Sequence, residues 1–205
     1  MFRQFLSNFL SSKGQEIDEY KDEKFALLLL DLQNDFLAKD GKMQVDQFQV
    51  KTLLNEVNSV SSGLSTTSVP IIYIVNEFKK SDKVGNFFRK QAAVHGSVGA
   101  EFDDRLEIYS ELLFKKLKPD AFSNSELDLY LRKHRVNHLI LAGVFADQCV
   151  YYTCVAALNR KYKVSILQNA VATTTMKKLN DSLEEYISLG IEILSKDDIF
   201  NRVQR

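Results

Sequence analysis

Cysteine is scarce in this chain: 205 residues hold only two, Cys149 and Cys154. On one helix, at about 100° per residue, that spacing turns the second side chain away from the first. This argues against an internal disulfide and for a reducing compartment such as the cytoplasm. Three scattered histidines and two cysteines leave no CxxC or HExxH spacing, so no metal site and no cofactor are expected. Net charge is absent too, since 27 Lys and Arg balance 27 Asp and Glu. No global field then draws the protein to nucleic acid or an anionic membrane, and a small-molecule substrate is the expected partner. No apolar run approaches the roughly 20 residues that span a bilayer. No GxGxxG or P-loop follows any apolar run, which excludes the common nucleotide-binding versions of an α/β domain. Repeats, low-complexity tracts and Pro/Ser/Gly linkers are also missing, so one domain is expected.

What is present has an ordered pattern. Phe2, Phe5, Leu6, Phe9 and Leu10 recur at helical spacing ahead of a polar run, without the continuous apolar core and cleavage site of a secretory signal. Residues 1–24 therefore read as a helical extension, docking on the domain or on a second subunit, with a membrane-surface anchor or targeting helix as the alternative. From residue 25 to 205, short apolar runs alternate with longer amphipathic segments, the signature of βαβ units. Strands are predicted at 25–31, 70–76, 111–116, 138–143, 162–167 and 191–194, and helices at 45–62, 124–134, 147–160 and 176–189. The fold class is α/β: a three-layer α/β/α domain with a six-stranded, mostly parallel, doubly wound sheet. Ser123 or Asn124 is placed to cap one helix and a residue of 173–175 another, and Gly190 stands where a helix end favours a left-handed residue. Residues 77–106 read as an excursion over one end of the sheet.

Ligands of open parallel sheets bind beyond the carboxyl ends of the strands. Three chemical groups fall there: Asp31 after the first strand, the lysines 115, 116 and 118 after the third, and Cys149 in the turn after the fourth. A cysteine in the first turn of a helix faces free N–H groups that favour thiolate and can hold an oxyanion. A lone cysteine is more often a small buried hydrophobe, and a lysine cluster is often solvated surface. Asp31 ends a run of four leucines, and a carboxylate there needs a partner, which a lysine or thiol would supply. An ammonium beside the sulfur would lower its pKa.

The phrase Leu30-Asp31-Leu32-Gln33-Asn34-Asp35-Phe36, then Lys116 with Asp120-Ala121-Phe122 and Leu127, then Gly143 through Cys149-Val150, resembles the isochorismatase-like cysteine hydrolases. That superfamily includes nicotinamidases, N-carbamoylsarcosine amidohydrolases and ureidoacrylate amidohydrolases. The stretch from His95 to Glu101 is similar to the family's loop before the third strand, and the resemblance runs from about residue 25 to 194. It implies that Asp31 is the general base, Cys149 the nucleophile of a thioester acyl-enzyme, and Lys116 the catalytic lysine, with Lys118 as the substitute. It further implies a cis Val144-Phe145 peptide, an oxyanion hole from the N–H groups of Phe145 and Cys149, and substrate contacts from Phe36, Phe122 and Phe145. A homo-oligomer, dimer or higher, with a partner subunit adding walls to the pocket, is also implied.

The departures refine the expectation. Nicotinamidases carry an aspartate and histidines after the second strand that hold a metal, whereas residues 76–82 here contain no histidine. Isochorismatases proper lack the nucleophilic cysteine, so its presence argues for cleavage of a C–N bond. The expected function is metal-independent hydrolysis of a small amide, ureido or carbamoyl compound; the alternative is an inactive binding or regulatory module on the same fold.

Overall fold

The computed structural model describes residues 22–203, so the expected extension lies almost entirely outside the described residues. A six-stranded sheet organises the chain in the order β3-β2-β1-β4-β5-β6. Its strands are β1 (Phe25–Leu30), β2 (Ile71–Asn76), β3 (Leu113–Lys116), β4 (His138–Val144), β5 (Lys163–Ala172) and β6 (Glu192–Leu194). Every pairing is parallel rather than mostly so. β1, β2 and β4 are buried along their whole length, which is why they appear in sequence as unbroken apolar runs.

The alternation within β1 builds two cores. Phe25, Leu27 and Leu29 join a cluster with Val50, Leu53 and Val57 of α2 (Gln47–Leu64) and Ile199 of α7 (Lys196–Val203). Ala26, Leu28 and Leu30 face the other way, onto α4 (Ser125–Lys133), α5 (Tyr151–Asn159) and α6 (Met176–Ser188) through Leu127, Leu131, Cys154, Ala157 and Tyr186. Helices on both faces give the three layers. Two short helices, α1 (Asn34–Leu37) and α3 (Lys83–Phe88), lie in connections after β1 and β2.

Local chemistry sets the helix ends. Asn124 Oδ1 accepts the N–H of Glu126 at 3.0 Å, and Thr175 Oγ1 accepts that of Lys178 at 3.2 Å. Gly190 follows α6 with φ of 78°, as its place after a helix end predicted. Three expectations are revised. The helix predicted at 147–160 begins as a π-helical turn, Ala146–Val150, before α5; β5 runs on to Ala172; and 77–106 holds α3 and a short 3-10 turn. α7 went unread because its eight residues carry a short polar pattern with one buried apolar residue, Ile199.

Chain order explains where a site forms. From β1 the chain winds outward to β2 and β3, then returns to the opposite side of β1 as β4 and continues outward. The winding reverses between β1 and β4, and a crevice opens beyond their carboxyl ends.

Candidate active site

β1 ends at Leu30, and the next residue, Asp31, takes a left-handed backbone with φ of 57° while its N–H still donates to the Ile74 carbonyl at 2.8 Å. A non-glycine residue in that region is a local strain that persists where surrounding structure enforces it. On the neighbouring strand, Gly143 has φ of 122°, and a Cβ there would stand 2.0 Å from the Leu30 carbonyl oxygen. Only glycine lets β4 approach the end of β1 this closely.

The turn brings Asp31 to Lys116, at the end of β3. Lys116 Nζ lies 2.8 Å from Asp31 Oδ2 and 3.3 Å from Cys149 Sγ. The lysine and aspartate side chains are 0 % and 1 % exposed, so neither charge has water to fall back on. Lys118, the alternative, is exposed and lines the wall of the cavity in front of the cysteine. Asp31 Oδ1 is buried without a hydrogen-bond partner. The side-chain amide of Asn76 reaches Cys149 Sγ at 4.0 Å.

Burial pushes the Asp31 carboxyl above its ordinary range, against the pull of Lys116. Burial would lower the Lys116 ammonium, but Asp31 and then Cys149 outweigh it and hold the lysine protonated. Burial, followed by the neighbouring Asp31 carboxylate, pushes the Cys149 thiol up to about 12, and Lys116 recovers only part of this. Burial and the Asp31 carboxylate thus oppose the thiolate that the helix end and the ammonium favour. What the geometry holds is one lysine Nζ in contact with both the carboxyl and the sulfur.

The turn that carries Cys149 is pinned from several sides. The Phe145 carbonyl accepts the N–H groups of Gln148 and Val150 at 3.0 and 3.1 Å, the longer reach marking the π turn. Asp147 accepts from the Thr173 hydroxyl and from Lys178 Nζ, the latter at 3.0 Å. The buried Tyr186 hydroxyl donates to the Ala146 carbonyl. The Val144-Phe145 peptide is cis.

A cavity of about 420 Å³ opens onto Cys149, with Phe36, Asn76, Phe78, Phe145 and Gln148 in its wall. Phe36 and Phe145 meet edge to face with centroids 5.6 Å apart. Phe122, the third expected substrate contact, is not brought there. Its ring stacks on Tyr162 with centroids 5.8 Å apart and lies under the Arg160 guanidinium at 4.6 Å, because the turn at 121–123 packs into the helix layer.

Sequence reasoning passed over two buried amides. Gln33 donates from Nε2 to the carbonyls of Asn76 and Ala100 and accepts the Asn76 N–H, holding the ends of β1 and β2 and the distal loop together. Asn76, the last residue of β2, obeys the same strand-end rule that singled out Asp31. Where nicotinamidases are expected to hold a metal, Asn76 offers a carboxamide, and Glu77 is engaged by Lys115 at 2.5 Å and His95 at 2.7 Å. Phe78 is covered by the Arg89 guanidinium at 3.8 Å. A carboxylate already paired with cations, an amide and an aromatic ring under a guanidinium do not fit a divalent ion.

Comparisons with known proteins agree with this architecture. The Isochorismatase domain model matches residues 25–198. The chain is 26 % identical over 178 residues to a probable inactive nicotinamidase of Arabidopsis thaliana, covering 82 % of this chain and 90 % of that one. It is 24 % identical over 132 residues to an N-carbamoylsarcosine amidase of an Arthrobacter species, covering 60 % of this chain and 50 % of that one. Among solved structures, the nicotinamidase/pyrazinamidase of Bacillus subtilis has a TM-score of 0.76 at 25 % identity, covering 83 % of this chain and 98 % of that one. With the domain matched across most of its length and the sheet, crevice and strand-end residues in place, the chain belongs to the isochorismatase family of hydrolases.

Proposed function

We propose that this protein hydrolyses a C–N bond of a small amide, ureido or carbamoyl compound through a thioester on Cys149. The observation that carries the reading is the buried contact of Lys116 Nζ with both Asp31 Oδ2 and Cys149 Sγ, at 2.8 and 3.3 Å, at the foot of a 420 Å³ cavity. Similarity to an N-carbamoylsarcosine amidase and to a nicotinamidase supports the amide class.

In the first half-reaction Asp31 takes the thiol proton as Sγ forms a bond to the substrate carbonyl carbon. A proton transfer concerted with attack suits a thiol that burial keeps neutral. Lys116 remains an ammonium and offsets the negative charge passing between sulfur and carboxylate. The N–H groups of Phe145 and Cys149 receive the oxyanion. Protonated Asp31 then donates to the leaving nitrogen as the C–N bond breaks. In the second half-reaction the same carboxylate takes a proton from water as the water oxygen bonds to the thioester carbon; the C–S bond then breaks, the acid is released and Asp31 returns the proton to Sγ. No cofactor enters these steps.

Ammonia release from a panel of small amides and ureas, compared between the wild type and Cys149→Ala, tests the reading. Turnover in the wild type with none in the variant is expected, and equal turnover in the two overturns the nucleophile assignment. One observation favours a second reading, a binding module with an idle triad: the similar Arabidopsis protein is named a probable inactive nicotinamidase. Iodoacetamide separates the two. Protection of Cys149 from alkylation by an amide that is also turned over supports the hydrolase, whereas protection without turnover supports the binding module.

A further inference from the structure

The end of the sheet opposite Cys149 carries a groove of about 360 Å³, and the described chain begins in its wall, which Asp22, Glu23 and Lys24 help to form. Val69, Pro70, Tyr130, Val136 and Val203 give the groove an apolar side. The point where the chain enters is fixed. Buried Asn137 accepts the Lys24 N–H at 2.8 Å through Oδ1 and donates from Nδ2 to the Asp22 carbonyl at 3.1 Å. The backbone N–H groups of Asn137 and His138 donate to the Lys24 carbonyl at 3.0 and 3.2 Å. The Tyr130 side is held as well, since the His134 ring stacks on Tyr130 with centroids 4.1 Å apart and donates from Nδ1 to the Tyr130 carbonyl at 2.8 Å. Ahead of this point the sequence sets Phe2, Phe5, Leu6, Phe9 and Leu10 at the spacing of one helical stripe, followed by the mostly polar residues 11–21. A helix of about ten residues is marginal alone in water, so such a stripe needs a surface to cover it. The eleven residues 11–21 reach at most about 40 Å and keep what they carry at an effective concentration of about millimolar order around their attachment point, which is the groove itself. A second copy at micromolar concentration competes poorly with that. Val84, Phe87 and Phe88 of α3 form another exposed apolar face, but at the carboxyl end of the sheet.

We propose that residues 2–10 dock in the groove of their own chain at the start of β1, with their apolar stripe against Val69, Pro70, Tyr130 and Val203. Groove and cavity lie at opposite ends of the sheet, so this docking is independent of the chemistry at Cys149.

The chain contains no tryptophan, so Phe5→Trp in the full-length protein reports on residue 5 alone. Its emission is expected to be blue-shifted, several-fold less quenched by acrylamide than a free tryptophan amide, and unchanged on dilution. Adding Val69→Glu, which puts a charge into the apolar side of the groove, should return emission and quenching to those of the free amide. Adding Phe88→Ser on α3 should change neither, and urea midpoints check that both variants are folded. A second measurement needs no change in the groove: with p-benzoylphenylalanine in place of Phe9, irradiation is expected to join residue 9 to residues 68–70, 130–136 or 203 of the same molecule. Adducts there between two molecules, or a blue shift lost on dilution, would give the groove to a second copy and overturn docking within the chain. A blue shift that requires phosphatidylcholine vesicles, a tryptophan as exposed as the free amide, or adducts confined to α3 overturns it as well.

Discussion

Removing the Lys116 ammonium would leave the Asp31 carboxylate, 1 % exposed, with no counter-charge. Breaking a buried pair from one side costs about 3–5 kcal/mol. Urea unfolding of Lys116→Met should register a loss of that order, and adding Asp31→Asn should restore much of the stability with none of the turnover. A stability unchanged in the single variant would show that the pair is not buried as described. Activity should report the same carboxylate through pH. Burial places the Asp31 carboxyl above its ordinary value of 3.8, and a carboxyl can serve as the proposed base only when ionised. The acid limb of kcat/KM should therefore lie above the ordinary carboxylate range, with activity rising as pH rises through it. In Asp31→Asn that limb should vanish and the rate fall by about 10²–10⁴-fold.

Among elements, the β1 and β4 ends set the site. Gly143 combines φ of 122° with a Cβ position 2.0 Å from the Leu30 carbonyl oxygen, and backbone on both sides cannot yield as a flexible side chain would. Gly143→Ala should destabilise the fold by about 2 kcal/mol or more and lower kcat even in the folded fraction, because it pushes the strand end that carries Asp31. Denaturant midpoints paired with activity per folded molecule check this, and a variant matching the wild type in both would contradict the close approach. At this scale the sequence was legible where burial is two-sided. β1, β2 and β4 stand out as apolar runs, whereas α3 and α7 are too short to produce a periodic signal. The π turn at Ala146–Val150 was not legible, since it depends on how Tyr186, Thr173 and Lys178 hold it from outside.

Across the whole molecule, the end of the sheet opposite the site holds its own buried titratable group. His138 at the start of β4 is 3 % exposed, its Nε2 pairs with Ser165 Oγ at 2.7 Å, and its Nδ1 lies 3.5 Å from Glu23 Oε1. Burial lowers its pKa from 6.5; Glu23 and Glu192 oppose the shift and Arg202 adds to it. A histidine depressed in the folded state contributes stability that is complete above its unfolded pKa and is lost as pH falls below about 6.5. Unfolding free energy should therefore decline between pH 7 and pH 5, and the decline should flatten in His138→Gln. A slope identical in the two proteins would place the acid sensitivity elsewhere. In the core, Leu28→Ala should cost about 2–5 kcal/mol, because a fully buried leucine in the central strand leaves a cavity that a sheet cannot collapse to fill.

By itself the sequence determined the fold class and pointed to Asp31, Cys149 and a lysine of the 115–118 cluster at the strand ends, because burial on both faces writes strands as apolar runs and a parallel sheet presents its carboxyl ends on one rim. Only the tertiary structure shows that Lys116 is buried against Asp31 and Lys118 lies in the cavity wall, two residues apart along the chain. It moved Phe122 out of the pocket and brought Asn76, Gln33 and Arg89 toward it. It also set the direction in which the Cys149 thiol is pushed: a thiol pKa depends on the balance of burial, carboxylate and ammonium around the sulfur, and distances between residues remote in sequence fix that balance.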